Sequence, residues 1–96
     1  MGIRQVLQAR RDEIVEIAAR HGAHNLRLFG SVARGQDTAD SDIDLLVATG
    51  PTTSSWFPAG LILDLEQILG RRVEIVTEKG LNPHLREKVL GEAIPL

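Results

Sequence analysis

The sequence predicts a small α/β (α+β) domain, a mixed sheet of about three strands with helices packed on one face. Three observations carry that expectation. Strand-like apolar runs recur at LRLFG (26–30), DIDLLVA (42–48) and RVEIV (72–76). The second and third flank a helix-length apolar stripe, and a right-handed crossover of that kind makes the two strands parallel. The first and second are joined by about a dozen residues, and antiparallel pairing would bring Gly30 beside Asp42. A chain of 96 residues, 43% hydrophobic and 25% charged, has the make-up of one soluble domain over 1–96.

The elements follow in order. Residues 3–20 place Ile3, Leu7, Ile14 and Ala18 near one face, with Val6 and Ile17 beside them, so they predict a helix. Arg10 and Arg11 interrupt that stripe. They either snorkel at its edge or touch a nucleotide or partner. Gly22 suits the end of the helix. After the first strand, SVARG (31–35) predicts a helical turn and QDTAD (36–40) a loop holding the solvated acids Asp37 and Asp40. TGPTTSSWFP (49–58) is turn-rich, and Trp56 and Phe57 are expected to pack over the core or fold the loop, or else to stack on a base or anchor an interface. Leu61, Leu65, Ile68 and Leu69 form a helical stripe over 59–69, with Asp64 and Glu66 on its wet side and Gly70 as its stop. Asn82 and Pro83 are a cap and first-turn pair for a last helix over 82–94.

Composition excludes several classes. Without cysteine there is no disulfide frame and no thiolate zinc site, which fits a reducing, cytoplasmic location. No apolar run approaches the ~18 residues that span a membrane. MGIRQVLQARRDE becomes charged too early for a secretory signal. A net charge of −2 leaves no basic footprint for sequence-independent nucleic-acid binding. His21, His24 and His84 show no metal-ligand spacing.

Chemistry concentrates at SDIDLLVA (41–48). Asp42 and Asp44 share one face of a strand that buries Ile43, Leu45 and Val47 on the other. Aspartate is a poor strand former, and two such charges ~6 Å apart repel by roughly 3 kcal/mol at an effective dielectric of about 20. In the third strand Val73 and Ile75 take the apolar side and leave Glu74 opposite, so three carboxylates should emerge together. Clustered acids call for protons or a hard divalent cation, and magnesium binds through a few carboxylates plus substrate phosphates. A pair of solvated surface aspartates is the plain alternative. An EF-hand count from Asp40 fails, because the sixth position is Leu45 and the twelfth is Pro51.

Upstream, LFGS ends a strand and opens a helical turn. Gly30 lets the backbone approach a ligand, and Ser31 is either an ordinary cap or part of an anion site. There is no G-x-x-x-x-G-K-[ST] phosphate loop.

FGSVARGQDTADSDIDLLV (29–47), with GS followed after ten residues by D-x-D, resembles the signature of the DNA polymerase beta superfamily. The S-x-A-R-G and S-D-I-D-L elements narrow the resemblance to the minimal nucleotidyltransferases, and RRVEIVTEKGLNPHLREKVLGEAI (71–94) is similar to that family's closing strand and helix. The resemblance implies a palm-like nucleotidyltransferase fold, Gly30 and Ser31 on the nucleotide phosphates, and Asp42 and Asp44 as ligands of two magnesium ions. It places Glu74 where the family usually carries a third acid, most often Asp, and lets Arg34 touch phosphate; otherwise Arg34 would pair with Asp37 or Asp40. It implies transfer of AMP from ATP to a hydroxyl, with Glu74 as the candidate base. The family resembles the antitoxin half of two-gene modules whose toxin is a helical HEPN ribonuclease, with a toxin tyrosine as acceptor. Larger members carry added domains that grip base and acceptor, so here a partner or second copy, in a homo- or hetero-oligomer, would complete the acceptor site. The competing expectation is a weakly catalytic binding module that neutralises its partner by covering it. Transfer to a small molecule ranks last, since no motif builds a pocket for one.

Overall fold

The computed structural model describes residues 2–96. In place of one helix over 3–20 there are two, α1 (Ile3–Ala9) and α2 (Arg11–Arg20). The break falls where the two arginines interrupt the apolar stripe. The Arg10 guanidinium donates to the Ile68 carbonyl, and Arg11 Nε donates to the Leu96 carbonyl at 2.8 Å. Both arginines therefore tie down distant backbone.

The chain continues through β1 (Ala23–Phe29), α3 (Gly30–Arg34), β2 (Ile43–Thr49), α4 (Ala59–Leu69), β3 (Val73–Thr77), α5 (Pro83–Glu92) and β4 (Ile94–Pro95). The sheet order is β3-β2-β1-β4. As the connection lengths require, β2 and β3 are parallel and β1 and β2 antiparallel. The sheet has four strands where the sequence predicted about three. The helix expected over 82–94 stops at Glu92, because Pro95 drives Ile94 out of helical backbone. Ile94 and Pro95 then pair with β1. Two residues are too few to show alternation, which hid this strand.

Register sets what lies beside what. Pairing of β1 with β2 slips by one residue between His24 and Arg27. Asn25 absorbs the bulge at φ 52, a left-handed conformation that asparagine tolerates. Beyond it Leu28 faces Leu45 and Phe29 faces Asp44.

The core lies between the sheet and the helices α2 and α4. Leu7, Ile14, Ala18, Ile43, Leu45, Val47, Leu61 and Leu65 are all fully buried in it. Truncating Leu45 to alanine should cost about 2–5 kcal/mol, measured as a lower urea midpoint with an unchanged slope.

Of the expectations for the two loop aromatics, packing over the core holds for Phe57 and fails for Trp56. Phe57 sits against the core, whereas Trp56 is 86% exposed. The loop is anchored by His21, whose Nδ1 lies 2.6 Å from Ser54 Oγ and whose Nε2 lies 2.7 Å from Asp64 Oδ2. Asp64 is thus more than a solvated face, and Glu66 accepts the Val73 N–H at 3.0 Å. Asn82 caps α5 as expected, accepting the His84 N–H at 2.9 Å. Among the described residues no helix is long and apolar enough to cross a membrane.

Candidate active site

The site is built at one end of β2. Ile43 and Leu45 are pinned in the core, so Asp44 between them must face the other way. Glu74 is its partner across the parallel β2–β3 ladder, flanked by the buried Val73 and Ile75. Alternation in two strands and an in-phase register therefore set Asp44 and Glu74 side by side on one face of the sheet. Partial burial pushes the Asp44 carboxyl up to about 6, with further upward contributions from Glu74 and Asp42, against a lowering by Arg34.

Asp42 precedes the strand and leans toward Arg72, whose Nε donates to its Oδ1 at 3.1 Å. Arg72 is 82% exposed in this pair, so the pair is a solvated rim contact contributing about 0–1 kcal/mol. Asp42 also borders a cleft of about 290 Å³ lined by Ala39, Asp40, Ser41, Gly70, Arg71 and Arg72. Among the described residues, no three acidic or histidine side chains are drawn together tightly enough to close around an ion. The donor chemistry nonetheless suits a hard divalent cation. Burial and the nearby charges of Glu74 and Asp42 all disfavour the Asp44 anion, and an oxygen-seeking cation is the charge that would relieve it.

Gly30 joins β1 to α3 with φ +73, a left-handed conformation. A Cβ built there would overlap the Asp44 carboxylate oxygen. The glycine is needed twice over: for the turn, and to let the backbone lie against a carboxylate. Ser31 falls inside α3, and α3 has no side-chain cap, which corrects the reading of Ser31 as an ordinary cap. Arg34 reaches neither Asp37 nor Asp40. Its Nη1 lies 3.0 Å from Glu92 Oε2 and 3.2 Å from Oε1. Glu92 Oε1 also accepts the Gly30 N–H at 2.9 Å. The Gly30 N–H, with help from the Arg34 guanidinium, holds the Glu92 carboxyl below the usual carboxylate range despite partial burial.

Sequence reasoning missed Glu92 and Arg72. Arg72 sits one residue before β3, in line with the start of β2, and the parallel register could have found it. Glu92 depended on β4, for which the sequence carries only the Ile-Pro signal.

The family model described as "Nucleotidyltransferase domain" matches residues 11–96, which contain all six candidate residues. A relative from Thermococcus cleftensis, named protein adenylyltransferase MntA, is 34% identical over 92 residues, covering 96% of this chain and 90% of its own length. A solved structure described as a minimal nucleotidyltransferase is 53% identical, with a TM-score of 0.86 over 100% of this chain and 97% of that one. The fold also matches a structure of tri-AMPylated Shewanella oneidensis HEPN toxin in complex with MNT antitoxin. There the TM-score is 0.68 at 20% identity, covering 92% of this chain and 69% of that one.

Proposed function

Since this chain belongs to the nucleotidyltransferase family, we propose that it transfers AMP from ATP to a hydroxyl of a partner protein and acts as the antitoxin of a HEPN-type toxin. The observation that carries this reading is the packing of the Gly30 turn directly on Asp44, whose neighbour across the β2–β3 ladder is Glu74. A glycine turn lying against a carboxylate supports reading the turn as a phosphate cradle beside metal-binding acids.

In the proposed reaction the acceptor oxygen attacks the α-phosphorus of ATP. The bond from that phosphorus to the bridging oxygen of the β-phosphate breaks, and pyrophosphate leaves. Gly30 and Ser31 present backbone N–H groups to the phosphates, and Arg34 offsets their charge. Glu74, exposed at the strand surface, takes the acceptor's proton. Asp42 and Asp44, with Glu74 beside them, would hold two magnesium ions, which when bound neutralise the triphosphate and lower the cost of forming the attacking oxygen. A partner protein as acceptor is supported by the AMPylated toxin of the Shewanella complex, and tyrosine is the proposed acceptor side chain.

The test compares ATP labelled at the α- and γ-phosphates, with magnesium and the protein encoded beside this one. Label from the α position should appear on a tyrosine of the partner and label from the γ position should not. No transfer, with full neutralisation retained in an Asp42→Ala/Asp44→Ala chain, would establish the binding module instead.

A further inference from the structure

We propose that the Glu92 carboxylate is an internal competitor for the nucleotide. It occupies the anion-binding groups of Gly30 and Arg34 in the free protein and leaves them when the triphosphate enters. The inference rests on the nucleotide reading above and deepens it, because it assigns a residue that sets nucleotide affinity.

The first support is geometric. Glu92 accepts the Gly30 N–H at 2.9 Å and faces Arg34 Nη1 with both oxygens, at 3.0 and 3.2 Å. These are two of the three groups assigned to phosphate. Their present occupant is itself an oxyanion, so the site already binds the kind of group it is built to take.

The second support is topological. β4 pairs antiparallel with β1, Leu28 opposite Ile94. Continued by two residues, that register sets Glu92 across from Gly30. The position of Glu92 thus follows from strand pairing, and the carboxylate need only extend to reach the turn.

The third support is the mobility this element can afford. Of the ten residues of α5 only Val89 is buried, and Val89 lies outside the main core cluster. Swinging the Glu92 side chain off Gly30 therefore uncovers little apolar surface, while Ile94 and Leu96 stay packed on the core. Glu92 cannot stay in place once a triphosphate arrives, because both would claim the same donors and like charges would be forced together. The lowered Glu92 carboxyl keeps this occupant charged at neutral pH.

A site whose open form is a minor fraction binds more weakly by that fraction, so removing the competitor should tighten binding. The experiment measures, by calorimetry on the full chain with magnesium present, the affinity for an ATP analogue with a non-hydrolysable α–β bridge. Wild type, Glu92→Gln and Glu92→Ala are compared, with circular dichroism confirming that each is folded. Both variants should bind about tenfold more tightly than wild type. In the wild-type chain the analogue should also speed amide hydrogen exchange across residues 89–93. Equal or weaker binding by both folded variants would overturn the proposal and make Glu92 a prop for Arg34. Binding by none of the three chains would remove the nucleotide reading and this inference together. Equal binding by all three would remove the inference alone. Should neither variant fold, the exchange measurement decides: acceleration supports the competitor, and unchanged or slowed exchange overturns it.

Discussion

Gly30→Ala is expected to abolish AMP transfer while leaving a folded protein. An L-residue at φ +73 costs about 1–2 kcal/mol in the left-handed region. The added methyl also overlaps the Asp44 carboxylate oxygen, and the carboxylate must swing away from the turn. Misplacing that group by about an ångström should lower the transfer rate at least ~10²-fold. Gly35→Ala is the control. Gly35 has nearly the same φ, +71, but nothing lies within 4 Å of the Cβ it would gain. Both variants should melt lower by similar amounts, and only Gly30→Ala should lose transfer. The comparison separates backbone strain from the collision with Asp44.

Asp44→Asn should move stability and activity in opposite directions. Asp44 binds its proton more readily in the folded chain, at about 6, than in the unfolded chain at 3.8. Its favourable contribution is therefore complete below about pH 3.8 and is lost as pH rises through about 6. At pH 7, without divalent cations, the wild-type chain carries an unrelieved charge that asparagine lacks. The full shift would correspond to at most ~3 kcal/mol, and solvent screening of this partly exposed group reduces that to roughly 1 kcal/mol. Denaturant melts of the metal-free proteins should show the variant more stable by about that amount at pH 7, with the gap closing toward pH 4. Transfer should fall by about 10³-fold, because a neutral amide cannot replace a charged donor where phosphate charge must be balanced. A gain in stability joined to a loss of activity marks a residue held in place at a cost to the fold.

The fold was legible in the sequence wherever periodicity was long. The stripe of Leu61, Leu65, Ile68 and Leu69 placed α4 at its observed residues, and alternation in DIDLLV and VEIV put Asp44 and Glu74 on one face. What escaped was short or tertiary. A two-residue strand has no period, so β4 and the position it gives Glu92 were invisible. The break at Arg10 coincides with hydrogen bonds from Arg10 and Arg11 to the distant carbonyls of Ile68 and Leu96, which no local pattern announces. The bulge at Asn25 left no apolar signature either, yet it sets which β1 residue faces Asp44. At the site, the sequence named the acids and the glycine-serine turn. The partners that hold the arginines, Asp42 for Arg72 and Glu92 for Arg34, required the packed chain.

The most direct measurement is a crystal of the full chain soaked with manganese and a non-hydrolysable ATP analogue. The expected result is anomalous density at the carboxylates of Asp42 and Asp44, with the triphosphate on the Gly30–Ser31 backbone and Arg34. An ordered analogue bound elsewhere, with no manganese at those two aspartates, would contradict the account.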